Sequence, residues 1–532
     1  MTGFCPPPSD AGVIRAAPCA SPSAPTATPW ILAATIVASS MAFIDGTVTN
    51  VALPALQREF NASLVDVQWV IEAYALFLSA LLLVGGAAGD RFGRRRVFLL
   101  GVALFAASSG WCGLASGVRE LIVARALQGI GGALLVPGSL AIISASFAEH
   151  ARGKAIGTWS GATAIASALG PVLGGWLIDH WSWRAVFFIN IPLAIVAIAI
   201  ALRHVPESRN ADTQGDIDWT GALLATLGLG GVVYALIESS NGGWSHPGIL
   251  ASLLVGILAL IGFVAVEMRA AAPMMPPQLF RSRAFAGANL LTFLLYGALG
   301  GSLFFVPLNL IQVQGYSTTA AGAALLPLIL LLAVLSRWSG SLIDRYGAKG
   351  PLVVGPVFSA CGFALFAVPA VGGSYWLTFF PASVVLGLGM AITVAPLTTT
   401  VMNSIDVSFS GAASGINNAA SRVAGLIAVA AFGLVMASIF NRSLHGQLEG
   451  AGLAPAVIAA VEQQRNRLAA IELPASVGAE EATIVRRAIA EAFVTGFRWI
   501  MLLSAALALA SAASAWGLIG SARERTRADG SP

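Results

Sequence analysis

Charged residues are scarce in this sequence. Asp, Glu, Lys and Arg together make up 10% of the 532 residues, whereas hydrophobic residues make up 57%. A soluble protein carries roughly 25% charged residues. Because one soluble core cannot bury so much apolar surface, a lipid bilayer must solvate most of the chain. The composition therefore excludes a soluble enzyme, a secreted disulfide scaffold and a disordered protein.

The motifs of metal-dependent and nucleotide-dependent enzymes are missing as well. The four cysteines show no CxxC or Cys/His spacing, so a metal site or a disulfide framework has no support. The sequence has no phosphate-binding G-x-x-x-x-G-K-[ST] loop, and its five histidines form no zinc-protease pattern. A net charge of only +4 does not suggest a nucleic-acid partner. We therefore expect no enzyme activity, no metal and no cofactor.

Long apolar segments, in contrast, are abundant. Segments of about 20 apolar residues recur along the chain, each long enough to cross the hydrocarbon core as an α-helix. The strands of a membrane β-barrel would instead alternate apolar and polar residues over about 10 positions. The sequence therefore predicts an all-α membrane protein with fourteen transmembrane helices. We expect them at residues 30–55, 69–89, 97–116, 121–147, 155–178, 184–203, 219–238, 247–266, 285–310, 318–343, 351–371, 375–399, 413–438 and 494–519.

The few basic residues indicate how these helices are oriented. An even number of helices places both termini on one side, and Lys and Arg are enriched in cytoplasmic connections. Connections that contain Arg94, Arg152 or Arg281 alternate with connections poor in basic residues, such as 239–246. Three isolated arginines depart from this alternation: Arg58, Arg119 and Arg184. We therefore expect a multi-pass protein of the cell membrane with both termini in the cytoplasm.

Three segments lie outside the predicted helices. Residues 1–29 are rich in Pro, Ser and Ala and are predicted to be a disordered cytoplasmic tail, since a cleaved signal peptide would begin its apolar run before Trp30. Residues 521–532 are a second cytoplasmic tail. The long connection 439–493 has mixed charge, contains helical stretches such as 455–471, and falls on the extracytoplasmic side. It is expected to form a small cap there, and a solvated loop without function is the alternative.

One sequence pattern occurs twice. Gly86–Arg95 and Gly340–Lys349 both read G-x-x-x-D-R-[aromatic]-G-x-[RK], and both fall at the cytoplasmic end of a predicted helix. Six transmembrane helices with short connections need roughly 180 residues, which is fewer than the spacing between the two copies. The excess fits two extra helices, at 219–238 and 247–266, between two six-helix halves. Paired halves of this kind are typical of transporters.

The turn after the second helix resembles the hallmark loop of the major facilitator superfamily. Further segments resemble the motifs of its fourteen-helix drug:proton antiporters, the EmrB/QacA type, and the resemblance covers about residues 30–520. These segments are Asp45–Pro54 in the first helix, Trp69, Tyr74 and Leu76 in the second, Arg125-x-x-Gln128-Gly129-x-Gly131-Gly132 in the fourth, Gly157 with Gly170-Pro171-x-x-Gly174-Gly175 in the fifth, and Trp183-Arg184 with Phe188-x-Asn190-x-Pro192 at the sixth.

The resemblance implies a major facilitator fold, with two six-helix bundles and two extra helices between them. The N-terminal bundle would cover 30–203, a linker with the extra helices 204–283, and the C-terminal bundle 284–520. The resemblance also implies export of hydrophobic or amphipathic compounds, including drugs and antibiotics, in exchange for protons by alternating access. The proton gradient would drive this export. We expect the transporter to be a monomer. A carrier of the same fold that moves one specific metabolite is the alternative, whereas a membrane enzyme or receptor has no motif to support it.

Asp45 is the first candidate functional residue, because an ionisable group inside a membrane span is costly. It lies nine residues before Pro54, about 13 Å deep at 1.5 Å per residue and close to the middle of the bilayer. A carboxyl group that alternates between apolar and cationic surroundings can take up and release a proton. The resemblance implies that Arg125 takes part in this coupling, with Gln128 and Asn50 nearby. A static Asp and a structural Arg are the alternatives.

Glu72 departs from the family pattern, which often has a small polar residue at this place. One interpretation makes Glu72 a second proton site or a selector of cationic substrates. The other starts from Trp69, three residues earlier, which suits the membrane interface. Glu72 would then reach the outer water by snorkelling.

The repeated turn is expected to act as a gate. Asp90 would accept hydrogen bonds from arginines or from a helix N-terminus across the interface between the halves. The residues of this gate are Gly86, Asp90, Arg91, Gly93 and Arg94 in the first copy, and Asp344, Arg345 and Gly347 in the second.

Two more groups are expected to take part in the conformational change. Glycines let helices pack closely in lipid and proline bends a helix, and the family associates such a pattern in the fifth helix with export. The pattern comprises Gly157, Gly170, Pro171, Gly174 and Gly175. The thirteenth helix should face the Asp90 turn across the two bundles. It contributes Asn417, Asn418 and Arg422.

Overall fold

The computed structural model describes residues 28–209, 218–270, 273, 275–406, 410–474 and 477–520. Within these ranges, the side chain of Asp344 is among the few that are not described. The predicted C-terminal tail 521–532 lies outside the described residues, as do residues 1–27 of the predicted N-terminal tail.

The prediction of fourteen transmembrane helices is confirmed, since the described residues include fourteen helices long and apolar enough to cross a membrane. The helices are α1 (Thr28–Phe60), α2 (Leu64–Phe92), α3 (Arg94–Leu114), α4 (Val118–Ser146), α5 (Glu149–His180), α6 (Ala185–Phe188), α7 (Asn190–His204), α8 (Trp219–Gly242), α9 (Pro247–Glu267), α10 (Arg283–Leu308), α11 (Thr318–Ala323), α12 (Leu326–Gly340), α13 (Leu342–Tyr346), α14 (Lys349–Phe366), α15 (Phe379–Asn403), α16 (Ser410–Glu449), α17 (Pro455–Glu462) and α18 (Ala479–Leu518). The sixth span consists of α6 and α7, and the predicted span 318–343 is interrupted between α11, α12 and α13.

Polar caps determine where two of these helices begin. At α2, Ser63 Oγ accepts a hydrogen bond from Asp66 N, and Asp66 Oδ2 accepts one from Ser63 N at 2.9 Å, which is a capping box. At α8, Asp218 Oδ1 accepts from Gly221 N at 2.7 Å. Because each cap satisfies otherwise unpaired N–H groups, it fixes the first turn of the helix.

The helices form two bundles that meet mainly along two seams. The first bundle consists of α1–α7 and the second of α10–α18. At one seam α5 packs against α11, and at the other α2 packs against α16. Helices α8 and α9 pack against each other, and α8 also contacts both α2 and α16. The two extra helices therefore cover the second seam.

The two ends of the bundles differ in chemistry. At the end where α2 turns into α3, here called the basic end, Arg94 N donates to Ser208 O at 2.9 Å and Arg95 Nη1 donates to Val205 O at 3.1 Å. Glu207 Oε2 lies 3.6 Å from Arg96 Nε in the same place. The opposite end, here called the cap end, carries residues 450–474 and 477–478.

The connection at the cap end is shorter than the predicted connection 439–493, because the helices on both sides extend into that range. Helix α16 continues to Glu449, and α18 begins at Ala479. The helical stretch predicted at 455–471 is present as α17 followed by a 3₁₀ turn, Arg465–Ala470. This turn lies against the first bundle, where Gln57 Nε2 donates to Arg467 O at 3.4 Å. Gln57 Oε1 in turn accepts from Gln312 Nε2 at 2.8 Å, so the cap end links both bundles.

Candidate functional site

Asp45 lies in a buried polar cluster within the first bundle. Its side chain is 0% exposed and forms an ion pair with Arg125 Nη1 of α4. Asp45 Oδ1 also accepts hydrogen bonds from Gln128 Nε2 at 2.8 Å and from Asn190 Nδ2 at 3.4 Å. The structure therefore brings Asp45, Arg125 and Gln128 together, as the sequence predicted.

The guanidinium of Arg125 is held from several sides. Its side chain is 1% exposed; Nε donates to Val70 O at 3.1 Å, and Nη1 donates to Gln128 Oε1 at 2.6 Å. The guanidinium carbon lies 4.3 Å from the centre of the Tyr74 ring, a distance typical of a cation–π interaction. Helices α2 and α4 thus fix the cation beside the carboxylate.

Two polar residues of this cluster had no predicted role. Asn190 Nδ2 donates to Ser109 Oγ at 2.9 Å as well as to Asp45, and Ser109 Oγ donates to Phe187 O at 2.8 Å. Asn190 belongs to the motif at the sixth span, so a polar side chain in an apolar helix was the available signal. For Ser109, the sequence offers no comparable signal.

The chemistry of this cluster depends on the charge of Asp45. A buried carboxylate and a buried guanidinium each carry a large desolvation cost, and their pairing offsets much of it. If Asp45 takes up a proton, this attraction is lost, and Arg125 is left as an uncompensated buried cation. Protonation would therefore remove the charge pairing that holds α1 beside α4 at this point.

Asn50 is not part of this cluster. It is half-buried on α1, and its side chain has no hydrogen bond within the described part of the chain. Asn50 lies five residues after Asp45, which places it on a different face of the helix.

Glu72 is buried, so the interpretation that it snorkels to water is wrong. The side chain is 1% exposed, and among the described residues its Oε2 has no hydrogen-bond partner. Trp69 Nε1 donates to Glu238 Oε1 of α8 at 2.9 Å. Glu72 occupies the same face of α2 as Trp69 and Leu76, which pack against apolar side chains of α8 and α16. An unpaired carboxyl group thus lies at the seam between the bundles.

The two copies of the repeated turn share one backbone feature. Gly93 has φ +107° and Gly347 has φ +69°, values that a residue with a Cβ rarely adopts. Within the first copy, Asp90 is 4% exposed and pairs with Arg94 at 2.7 Å, while a Cβ added to Gly86 would make only an ordinary contact with Pro137. Arg91 and Arg345 are exposed. In this conformation, Asp90 is thus paired within its own bundle. The predicted role of Asp344 depends on a side chain outside the described set.

The chain is similar to known proteins over most of its length. A family model described as Major Facilitator Superfamily matches residues 35–429. The chain belongs to this superfamily. It is therefore a membrane transporter, with the superfamily fold of two six-helix bundles and two additional helices.

Relatives in the superfamily match most of the chain. The tetracenomycin C resistance and export protein of Streptomyces glaucescens is 34% identical over 496 residues, with 92% of this chain and 91% of that protein covered. Multidrug resistance protein Stp of Mycobacterium tuberculosis is 33% identical over 426 residues, with 79% and 78% covered. Among solved structures, a bacterial homolog of the human lysosomal transporter Spinster aligns with TM-score 0.61 and 18% identity, covering 94% of this chain and 100% of that chain. This likeness shows the fold.

In this transporter the glycine pattern of α5 has two different environments. A Cβ on Gly170 or Gly174 would overlap side chains of α1, and one on Gly175 would overlap the backbone of Thr318 in α11. Gly157, in contrast, has no atom within 4 Å of such a Cβ. The close approach therefore concerns only the half of α5 near the cap end.

Both seams of the transporter are closed near the cap end. At the first seam, Asp179 Oδ2 of α5 accepts hydrogen bonds from Thr319 N at 2.8 Å and from Thr319 Oγ1 at 2.6 Å. At the second, Gln68 Nε2 of α2 donates to Val429 O of α16 at 2.8 Å. These hydrogen bonds join the two bundles directly.

Among the described residues, the two asparagines Asn417 and Asn418 of α16 do not bond to the Asp90 turn. Asn417 Nδ2 donates to Asn289 Oδ1 at 3.2 Å and to Thr292 Oγ1 at 2.7 Å, both on α10 of the same bundle. Asn418 is exposed and donates to Ser414 O of its own helix at 3.2 Å. Arg422 is half-buried. The expected contact between bundles is thus absent for the two asparagines in this conformation, because their amides bond within the second bundle.

Proposed function

We propose that this transporter exports hydrophobic or amphipathic small molecules, including drugs and antibiotics, in exchange for protons. The observation that carries the proposal is the buried pair of Asp45 and Arg125. A proton on Asp45 would break this pair, and release of the proton would restore it. The names of the relatives, which include an antibiotic export protein and multidrug resistance proteins, support a drug substrate.

The proposed orientation follows from the arginines. The basic end would face the cytoplasm, because Lys and Arg are enriched in cytoplasmic connections. Both termini would then be cytoplasmic, and the seams closed at the cap end would be closed to the outside. In this state Asp45 is paired as a carboxylate and has released its proton to the cytoplasm. Binding of substrate would then begin the return to the outward-open state.

Everted membrane vesicles with an acidic interior test this proposal. Addition of substrate should release protons from the vesicles, as measured with a pH-sensitive dye, and vesicles without the protein should show no such release. Growth assays with a panel of toxic compounds, with and without the gene, identify substrates for the assay. Uptake of substrate with no movement of protons would contradict proton exchange and favour a carrier of one metabolite.

Glu72 is proposed as a second proton carrier. An ionised carboxylate without partners costs several kcal/mol to bury, so Glu72 should be protonated in this conformation. Rocking of the bundles would change its surroundings at the α2–α16 seam. We expect Glu72→Gln to keep transport but to reduce the number of protons released per substrate molecule in everted vesicles. Glu238→Gln is the matched control and should leave this ratio unchanged, since Glu238 is only half-buried. An unchanged ratio in Glu72→Gln would exclude the second proton.

A further inference from the structure

A cavity of about 450 Å³ lies at the second seam, nearer the basic end than the contact of Gln68 with Val429. Its walls come from both bundles and from the two extra helices. Ser79 and Leu83 of α2 and Ala420 of α16 form the bundle side, whereas Ala225 of α8 and Phe263 of α9 lie opposite. The cavity is therefore bounded by every group of helices that meets at this seam.

The chemistry of the lining selects for an apolar, uncharged occupant. Ser79 and Asn289 are the only residues with a polar side chain among those that line the cavity in the described part of the chain, and none of the lining residues is charged. The amide of Asn289 is already bonded, since its Nδ2 donates to Phe285 O at 2.9 Å and its Oδ1 accepts from Asn417. A charged ligand would have no counter-ion here and would lose its hydration. The volume falls within the roughly 300–1,000 Å³ of sites for drug-sized molecules.

This cavity is separate from the Asp45 cluster. Leu83 follows Tyr74 by nine residues, which at about 100° per residue places the two side chains on opposite faces of α2. On α16, Arg422 follows Ala420 by two residues and likewise points to another side. Tyr74 faces the Asp45 cluster, so the cavity lies on the lateral side of the α2–α16 seam.

The cavity also has an opening at the surface that lipid would cover. Among its lining residues, Phe280, Leu290 and Phe293 are 40%, 43% and 36% exposed. Asn289 and Phe293 lie six and ten residues into α10, about 9 and 15 Å from its start at the basic end. The opening is therefore in the half of the bilayer that borders the basic end.

We propose that this cavity is a binding site for uncharged, apolar substrates that enter from the adjacent leaflet. The proposal depends on the export function proposed above. Because both bundles line the site, rocking of the bundles would change its shape, and its affinity would differ between the two states. A site for a permanently bound lipid would need no such dependence. The two extra helices would thereby form part of the substrate path.

Filling the cavity with bulky side chains tests the proposal. We expect saturable binding of the uncharged dye Nile red to the full chain in nanodiscs, measured by fluorescence after subtraction of the signal from empty nanodiscs. Ala225→Trp and Ala420→Trp should weaken this binding roughly tenfold, because a tryptophan would occupy the space of the dye. Leu223→Trp is the matched control: Leu223 is 60% exposed on the same helix as Ala225 and does not line the cavity, so this variant should bind like the wild type.

Three results would overturn the proposal. They are a lack of saturable binding, wild-type affinity in both cavity variants, and equally effective competition by the cationic dye ethidium. Phospholipid that co-purifies with the wild type and is lost in Ala225→Trp, as detected by mass spectrometry, would overturn it as well, because the occupant would then be an acyl chain. Proton release by the wild type and by Leu223→Trp, measured in everted vesicles with a substrate from the growth assays, separates the two proposals. We expect both to release protons, so a failure of proton exchange would be visible independently of dye binding.

Discussion

Replacement of Asp45 by Asn should abolish substrate-driven proton release in everted vesicles. The amide has nearly the shape of the carboxyl group but cannot exchange a proton, so the cycle loses its coupling step. Arg125 then remains as a buried cation without its counter-ion, and breaking a buried pair in this way costs about 3–5 kcal/mol. Accumulation of substrate against a gradient should therefore fall to the level of vesicles without the protein.

A second measurement separates loss of coupling from loss of folding. Exchange of labelled for unlabelled substrate at equal concentrations needs no proton gradient, so Asp45→Asn should retain it. Asp45→Glu keeps an ionisable group and should recover part of the proton release. Full proton release in Asp45→Asn would exclude Asp45 as the coupling group, and loss of exchange together with loss of the folded protein would indicate a structural role.

Replacement of Gly322 by Leu should block transport by preventing closure at the cap end. A Cβ on Gly322 would overlap the carbonyl group of Pro171 across the seam between α11 and α5. A backbone atom cannot move aside as a flexible side chain can, and overpacking of this kind costs about 1–3 kcal/mol or more. At 3 kcal/mol, the closed state would be depopulated more than roughly 100-fold relative to the open state. Initial rates of export should fall by a similar factor.

Gly157→Leu is the matched control for this experiment. It adds the same side chain to a glycine of α5, the partner helix of α11 at this seam, but at a position with no atom within 4 Å of the added Cβ. Export by Gly157→Leu should remain close to that of the wild type. Thermal unfolding of purified Gly322→Leu should show a folded protein, because the open state retains both bundles. Equal losses of export in Gly322→Leu and Gly157→Leu would mean that the added side chains act through helix bending and not through the contact of Gly322 with Pro171.

The number and approximate positions of the transmembrane helices could be predicted from the sequence alone. Each helix crosses the bilayer because its own residues are apolar over a sufficient length, so no knowledge of its neighbours is needed. The repeated turn could also be predicted from the sequence, because its backbone adopts positive φ values that favour glycine at Gly93 and Gly347. The extent of α16 and α18 was underestimated, because their ends are polar enough to be taken for a loop.

The candidate site was only partly predictable. Asp45 and Arg125 are rare charges in apolar helices, and the polar residues that surround them were less conspicuous. The environment of Glu72 was inferred from its sequence distance to Trp69, whereas the packing of α2 against α8 and α16 buries its side chain. Asn417 was expected to lie at the interface between the bundles, whereas its amide bonds to α10 of its own bundle.

The sequence by itself determined the fourteen spans, the two related halves and the few charged residues inside the membrane. The tertiary structure decided which of those residues meet, which seams are closed, and where the lateral cavity lies. The physical reason is that lipid and protein interior are both apolar. In a soluble helix, the contrast between apolar and polar faces shows how the helix is rotated. A membrane helix lacks this contrast, so only packing against its neighbours determines which face points inward.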